Sequence, residues 1–129
     1  MHVAVVCVAL LGLLVIGLGL AVSLTRGSTK TVIGYAEKDP ADRLHKVVRA
    51  HGNATEYAPM LAVLILYVGS HGPSAWMVWM FVIATASRYL HAAGMVMSPR
   101  LDQLQPLRAI GAVGTYLAGL ALVAATLLV

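Results

Sequence analysis

The sequence predicts an all-α integral membrane protein: one domain, residues 1–129, built as a bundle of four transmembrane helices. Three observations carry that prediction. The 129 residues are 60% hydrophobic and 11% charged, with a mean hydropathy of +0.85. A soluble domain has roughly 45–50% apolar and ~25% charged residues. The apolar residues fall into four stretches, about 3–25, 41–69, 74–97 and 106–128, and about 20 residues suffice to cross a bilayer core. Three polar connectors separate them, two basic and one without a formal charge.

The first stretch carries no polar side chain between residues 3 and 22 other than Cys7. Ala21-Val22-Ser23 has the look of a signal-peptide cleavage site, but no basic segment precedes the run, and the run exceeds a signal-peptide core. A retained span is therefore expected. The single cysteine, Cys7, excludes an intrachain disulfide and reads as a small buried hydrophobe. The connector that follows is rich in Gly, Thr, Lys and Asp. It ends in Lys38-Asp39-Pro40, a helix-start pattern with Asp39 as N-cap and Pro40 in the first position. The second helix is polar at first and apolar later; Pro59 within it frees the Thr55 carbonyl and predicts a kink. Ser70-His71-Gly72-Pro73 reads as a tight turn. The third helix opens with Trp76 and Trp79, suited to an interfacial belt. After the 98–105 connector, Pro106 begins the fourth helix. Gly111, Gly114, Thr115, Ala118 and Gly119 give that helix the small-residue spacing that lets backbones approach closely.

Charge orients the spans. Arg26, Lys30, Lys38, Arg43, Lys46 and Arg49 surround the first connector, Arg100 and Arg108 the last, and the 70–73 turn has no formal charge. The positive-inside rule puts connectors 26–40 and 98–105 in the cytoplasm and both termini outside. The net charge of +4 therefore suits membrane orientation and anionic ligands. Without basic and aromatic residues interleaved, no nucleic-acid partner is expected.

One segment needs a reason beyond spanning. Read as a helix, Arg49, Asn53, Glu56 and Tyr57 share a face, which Asp42, His45 and Lys46 extend backwards. Folding about the 70–73 turn sets Glu56 at the depth of Arg88 and Asn53 at that of His91. Arg88, His91, Ala92 and Met95 share a face of the third helix. Arg88 lies on the order of 15 Å from the cytoplasmic end, where a charge meets a partner or a wet cavity. Two readings follow: a structural Glu56–Arg88 ion pair, or a polar cavity open to the cytoplasm for a small anionic, amide-bearing ligand. Arg108 stands three residues into the fourth helix. There it either snorkels or, with the helix N-terminus, stabilises an anion such as a thiolate. His45, His51, His71 and His91 include no i, i+4 pair, so no metal site is expected. Tyr35 is expected at a surface, and Met95 and Met97 in packing.

Arg49-Ala-His-Gly-Asn-Ala-Thr-Glu-Tyr-Ala-Pro59 resembles the signature of the MAPEG family, membrane-associated proteins in eicosanoid and glutathione metabolism. Arg88-Tyr-Leu-His-Ala-Ala-Gly94 is similar to its third-helix motif, and Pro106-Leu-Arg108 to the Pro-x-Arg at the start of its fourth helix. The resemblance covers essentially the whole chain. It implies a homotrimer in a bacterial inner (plasma) membrane, with membrane lipid as its surroundings. Glutathione or another low-molecular-weight thiol, such as mycothiol, would bind between subunits near the cytoplasmic side. Arg49, His51, Asn53, Glu56, Tyr57, Arg88 and His91 would hold the thiol, with Arg26 reaching in from a neighbouring subunit. Arg108 would stabilise the thiolate for attack on a lipophilic electrophile or hydroperoxide. The chain departs from some eukaryotic members in having Met95 where they have tyrosine, and in a longer 98–105 connector. Two other classes stay open: a small multidrug exporter, which needs an embedded acid, and a non-catalytic membrane protein of the same fold.

Overall fold

The computed structural model describes residues 1–129 as four helices and no strands: α1 (His2–Thr29), α2 (Arg43–Ser70), α3 (Ala75–Met97) and α4 (Pro106–Thr126). α1 runs past its expected end near residue 25. Thr25, Ser28 and Thr29 turn their hydroxyls back onto the carbonyls of Ala21 and Thr25, so the polar residues are satisfied inside the helix. Lys30, at φ 54, then closes it in the left-handed conformation.

The start of α2 corrects the sequence expectation. Asp42, not Asp39, is the N-cap, its Oδ1 accepting from the His45 amide at 2.7 Å. Asp39 is occupied instead by a local turn, accepting from the Ala41 amide at 2.9 Å. The Pro40 carbonyl accepts from the Leu101 amide at 2.9 Å, tying the two basic connectors together. Lys46 adds a second tie, Nζ to the Ser98 carbonyl at 3.1 Å. α2 runs unbroken through Pro59.

α2 and α3 touch across the middle of the bundle; α1 packs on both, α4 packs on both, and α1 and α4 do not meet. The main core joins Leu11 of α1, Leu61, Ile65 and Val68 of α2, Phe81 of α3 and Leu122 of α4. Backbones come closest where side chains are smallest. A Cβ built on Gly111 would overlap the His91 amide and the Ser87 carbonyl, and one on Gly94 would overlap the Arg108 backbone. These glycines lock α3 against α4 beside the polar layer described below.

The outside is inverted relative to a soluble protein. Ile16, Leu20 and Leu24 of α1, and Val113, Leu117 and Leu120 of α4, are all more than half exposed. Contiguous apolar surface of this kind requires lipid or a partner. By length and composition alone, α1 and α4 are long and apolar enough to cross a membrane. α2 and α3 do not meet that measure, because α2 carries Arg43, Lys46, Arg49 and Glu56 and α3 carries Arg88 and His91. The four apolar stretches are thus not equivalent, and the two less apolar helices hold the bundle's centre.

Candidate functional site

The polar layer is centred on Arg88, which is only 1% exposed. Its Nη2 donates to both the side-chain and main-chain oxygens of Asn53, the latter at 3.3 Å. Its Nη1 donates to Thr115 Oγ1 at 3.4 Å. Its guanidinium carbon lies 5.0 Å from the centre of the Tyr57 ring, close enough for a cation–π attraction. Nε has no partner. Two helices, α2 and α4, therefore grip a buried cation of α3 with neutral groups alone. The only ion pair in the structure lies elsewhere, between Arg100 and Asp102.

The expected Glu56–Arg88 pair is not formed. A helix turns about 100° per residue, so Glu56 points well away from Tyr57, and it is exposed. Asn53 and Tyr57, one turn apart and nearer the buried stripe of Ala50, Ala54 and Ala58, flank Arg88 instead. Depth brought the polar segment of α2 opposite Arg88 but did not pick the partner, which is Asn53. The expected opposition of Asn53 and His91 changes as well, since His91 turns to α4, its Nδ1 2.8 Å from the Arg108 carbonyl.

Arg108 is held by its own connector. Nη1 donates to the Leu101 carbonyl at 2.9 Å and Nη2 to the Gln103 carbonyl at 3.2 Å. Its amide is capped by Gln105 Oε1 at 2.8 Å, so the α4 N-terminus spends one donor internally. Of the five N–H donors a guanidinium carries, two are used here. Arg26 likewise braces a connector, Nη1 to the Gly34 carbonyl at 2.8 Å. His51 packs on α1, its Nε2 3.3 Å from where a Cβ on Gly19 would stand. Arg49 and Glu56 share an outward face, and both are exposed. Tyr35 stacks on His45 with ring centres 4.8 Å apart, and Met95 is buried.

The fold thus brings together Asn53, Tyr57 and Arg88, places His91 and Arg108 in a joined pair beside them, and turns Arg26, Arg49, His51 and Glu56 elsewhere. Two contributors escaped sequence reasoning as polar groups. Thr115 was legible only as a small residue. Tyr116, whose hydroxyl is 3.0 Å from that of Tyr57, was signalled by being the one phenol in the fourth helix.

The profile of the MAPEG family matches residues 4–128. This chain belongs to the MAPEG family. The MAPEG assignment makes it a membrane protein and agrees with the helix-only fold. It is also similar to the inner membrane protein YecN of Escherichia coli, in strain K12 and in an O6:H1 strain. Each is 38% identical over 52 residues, a match spanning 40% of this chain and 40% of the relative. The matched segment therefore covers well under half of those relatives.

Proposed function

We propose that this MAPEG protein is a thiol S-transferase of the bacterial inner membrane that works as a homotrimer. It would join glutathione, mycothiol or a similar small thiol to lipophilic electrophiles. The observation that carries this reading is the counter-charge missing at Arg88. A buried cation held only by neutral oxygens is costly, and an anionic ligand would offset that cost. The carboxylates and amides of glutathione match the guanidinium of Arg88 and the amide of Asn53; mycothiol, which has amides but no carboxylate, would bring its negative charge only as the thiolate. The relative's name, an inner membrane protein, agrees with the location.

The same helix supports assembly. Arg49 and Glu56 stand exposed on one face of α2, and a charged face along a membrane helix calls for a polar neighbour. A second subunit supplies one, and Arg49 and Glu56 would then close the thiol pocket across the interface with Arg26. Arg108, with three N–H groups uncommitted, would face the thiolate. The thiolate sulfur donates its pair to the electrophilic carbon while the leaving group departs with the pair of the broken bond. Positioning and thiolate stabilisation supply the rate.

The test is conjugation of 1-chloro-2,4-dinitrobenzene by purified protein with glutathione and mycothiol in turn, together with native mass spectrometry. Turnover with one thiol, in a trimer that retains that thiol, is the expected result. Unchanged activity in Arg108→Ala would remove the proposed role of that residue. The exporter reading retains one supporting observation, that Glu56 is not neutralised by Arg88. Proton-driven uptake into liposomes that disappears in Glu56→Gln would favour it.

A further inference from the structure

Lys46 of α2 and Arg108 of α4 never touch, yet both are bonded to the 98–105 connector. Lys46, half-buried, donates Nζ to the Ser98 carbonyl at 3.1 Å. Arg108 donates to the Leu101 carbonyl at 2.9 Å and to the Gln103 carbonyl at 3.2 Å. Between these grips the chain is short and stiff. Pro99 fixes its own φ and keeps Ser98 extended, at φ −60 and ψ 134. Ser98 is 1% exposed, and its Oγ donates to the Arg100 carbonyl at 2.6 Å. The Leu101 amide donates to the Pro40 carbonyl at 2.9 Å, while the Leu101 carbonyl receives Arg108. Residues 98–101 are thus pinned at both ends to the α2 side, and the far end carries the acceptor that aims Arg108. No carboxylate shares in this, since the one ion pair joins Arg100 to Asp102. Neutral carbonyls orient the guanidinium without cancelling its charge, and a donor set in place beforehand costs no reorganisation when an anion forms beside it.

We propose that Lys46 is a positioning residue for Arg108, acting through the connector and not on the thiol itself. Its bond to Ser98 holds the Leu101 and Gln103 carbonyls where they aim the guanidinium. For its chemical consequence the inference rests on the transferase reading. With the Lys46 bond in place, the uncommitted N–H groups of Arg108 stand ready for the thiolate. With the bond gone, the two carbonyls drift and the guanidinium turns with them. The thiolate then loses its stabilisation, while the contacts that hold the rest of the thiol are untouched.

The first arm of the experiment needs no thiol. Phenylglyoxal, which condenses with free guanidinium groups, is applied to the intact protein in detergent, and the modified arginines are read by peptide mass spectrometry. Lys46→Met is expected to speed modification of Arg108 several-fold, and Lys46→Arg, which keeps a donor for one carbonyl, to restore the parent rate. Arg43, exposed at the start of α2, is the reference and should not change. An unchanged Arg108, or an equal rise at Arg43, overturns the proposal. Should Lys46→Met fail to fold, Ser98→Ala takes its place. It frees the Arg100 carbonyl and is expected to give the same selective rise at Arg108; no rise overturns the proposal equally. The second arm uses glutathione or mycothiol, whichever the protein conjugates. In Lys46→Met the pKa of the bound thiol, followed by thiolate absorbance, is expected to rise toward the free value of about 8.5. A rise of one unit corresponds to about a tenfold fall in thiolate at neutral pH, and kcat for 1-chloro-2,4-dinitrobenzene should fall in step. Affinity for the S-methyl derivative of the same thiol, which has no proton to lose, should stay at the parent value. An equal loss there puts Lys46 in the binding pocket and overturns the positioning role. A loosened Arg108 with unchanged thiolate sinks the role of Arg108 in the transferase reading, and absence of any thiol binding by the unaltered protein sinks that reading itself. Either result leaves the Lys46 clamp to be decided by phenylglyoxal.

Discussion

Arg88 and Asn53 join α3 to α2 through one Nη2 group that donates to two oxygens of the same asparagine. The relationship replaces the ion pair that depth alone suggested, and it leaves a buried positive charge without a negative one.

Asn53→Ala therefore removes a side-chain acceptor from a buried cation, at about 1.5–3 kcal/mol for a hydrogen bond to a charged group. Chemical unfolding in detergent is expected to register that loss. Asn53→Asp, which supplies a counter-charge, is expected to unfold no more easily than the unaltered protein and to bind the thiol more weakly. An Asn53→Asp variant that binds thiol as tightly as the parent would show that Arg88 does not meet the ligand's anion.

Arg88→Met separates structure from function. Arg88→Met gives up the hydrogen bonds to Asn53 and Thr115 but also relieves the desolvation of a buried charge that has no counter-ion, a cost of several kcal/mol per ion. The variant should keep its unfolding midpoint and lose thiol binding by calorimetry. Retained binding would return Arg88 to a purely structural role.

Gly111→Val tests the α3–α4 approach. The added atoms would overlap the His91 amide and Ser87 carbonyl, and overpacking of this sort costs typically about 1–3 kcal/mol. Because the displaced backbone carries His91, thiol affinity should fall along with stability, both measurable on one detergent preparation. Gly12→Val, at a position with open space around it, is the matched control and should change neither.

The exposed pair at the 98–105 connector is expected to matter little. Arg100 donates Nε and Nη2 to the two Asp102 oxygens at 3.0 and 2.8 Å, and this hydrogen bonding holds the Asp102 carboxyl below its ordinary value. A carboxyl depressed in the folded state contributes stability above its unfolded value, and that contribution is lost as pH falls through the folded value. Exposed pairs of this kind are weak and screened by salt. Asp102→Asn should leave the thermal midpoint at neutral pH unchanged. Arg108→Ala, which frees the Leu101 and Gln103 carbonyls, should by contrast speed hydrogen exchange across 98–105.

Much of this protein is determined by local sequence. Composition and apolar runs set the four helices, because a segment in lipid must satisfy its backbone internally. Pro106 set the start of α4, where its missing N–H does no harm. The motif around Arg49, Asn53, Glu56 and Tyr57 marked the polar segment, and the family match bears out the resemblance it carried. Tertiary structure decided which of those residues meet. Arg49, Asn53, Glu56 and Tyr57 sit within about 100° of one another on the helix, and only the packing of α3 selects Asn53 and Tyr57 and turns the other two outward. Asp39 and Asp42 are equally good caps by residue type; the bond between Pro40 and Leu101, distant in sequence, assigns the role to Asp42. Thr115 and Tyr116 enter the site because Gly111 and Gly114 bring α4 against α3. That close approach is a property of two helices together, and neither helix's sequence contains it alone.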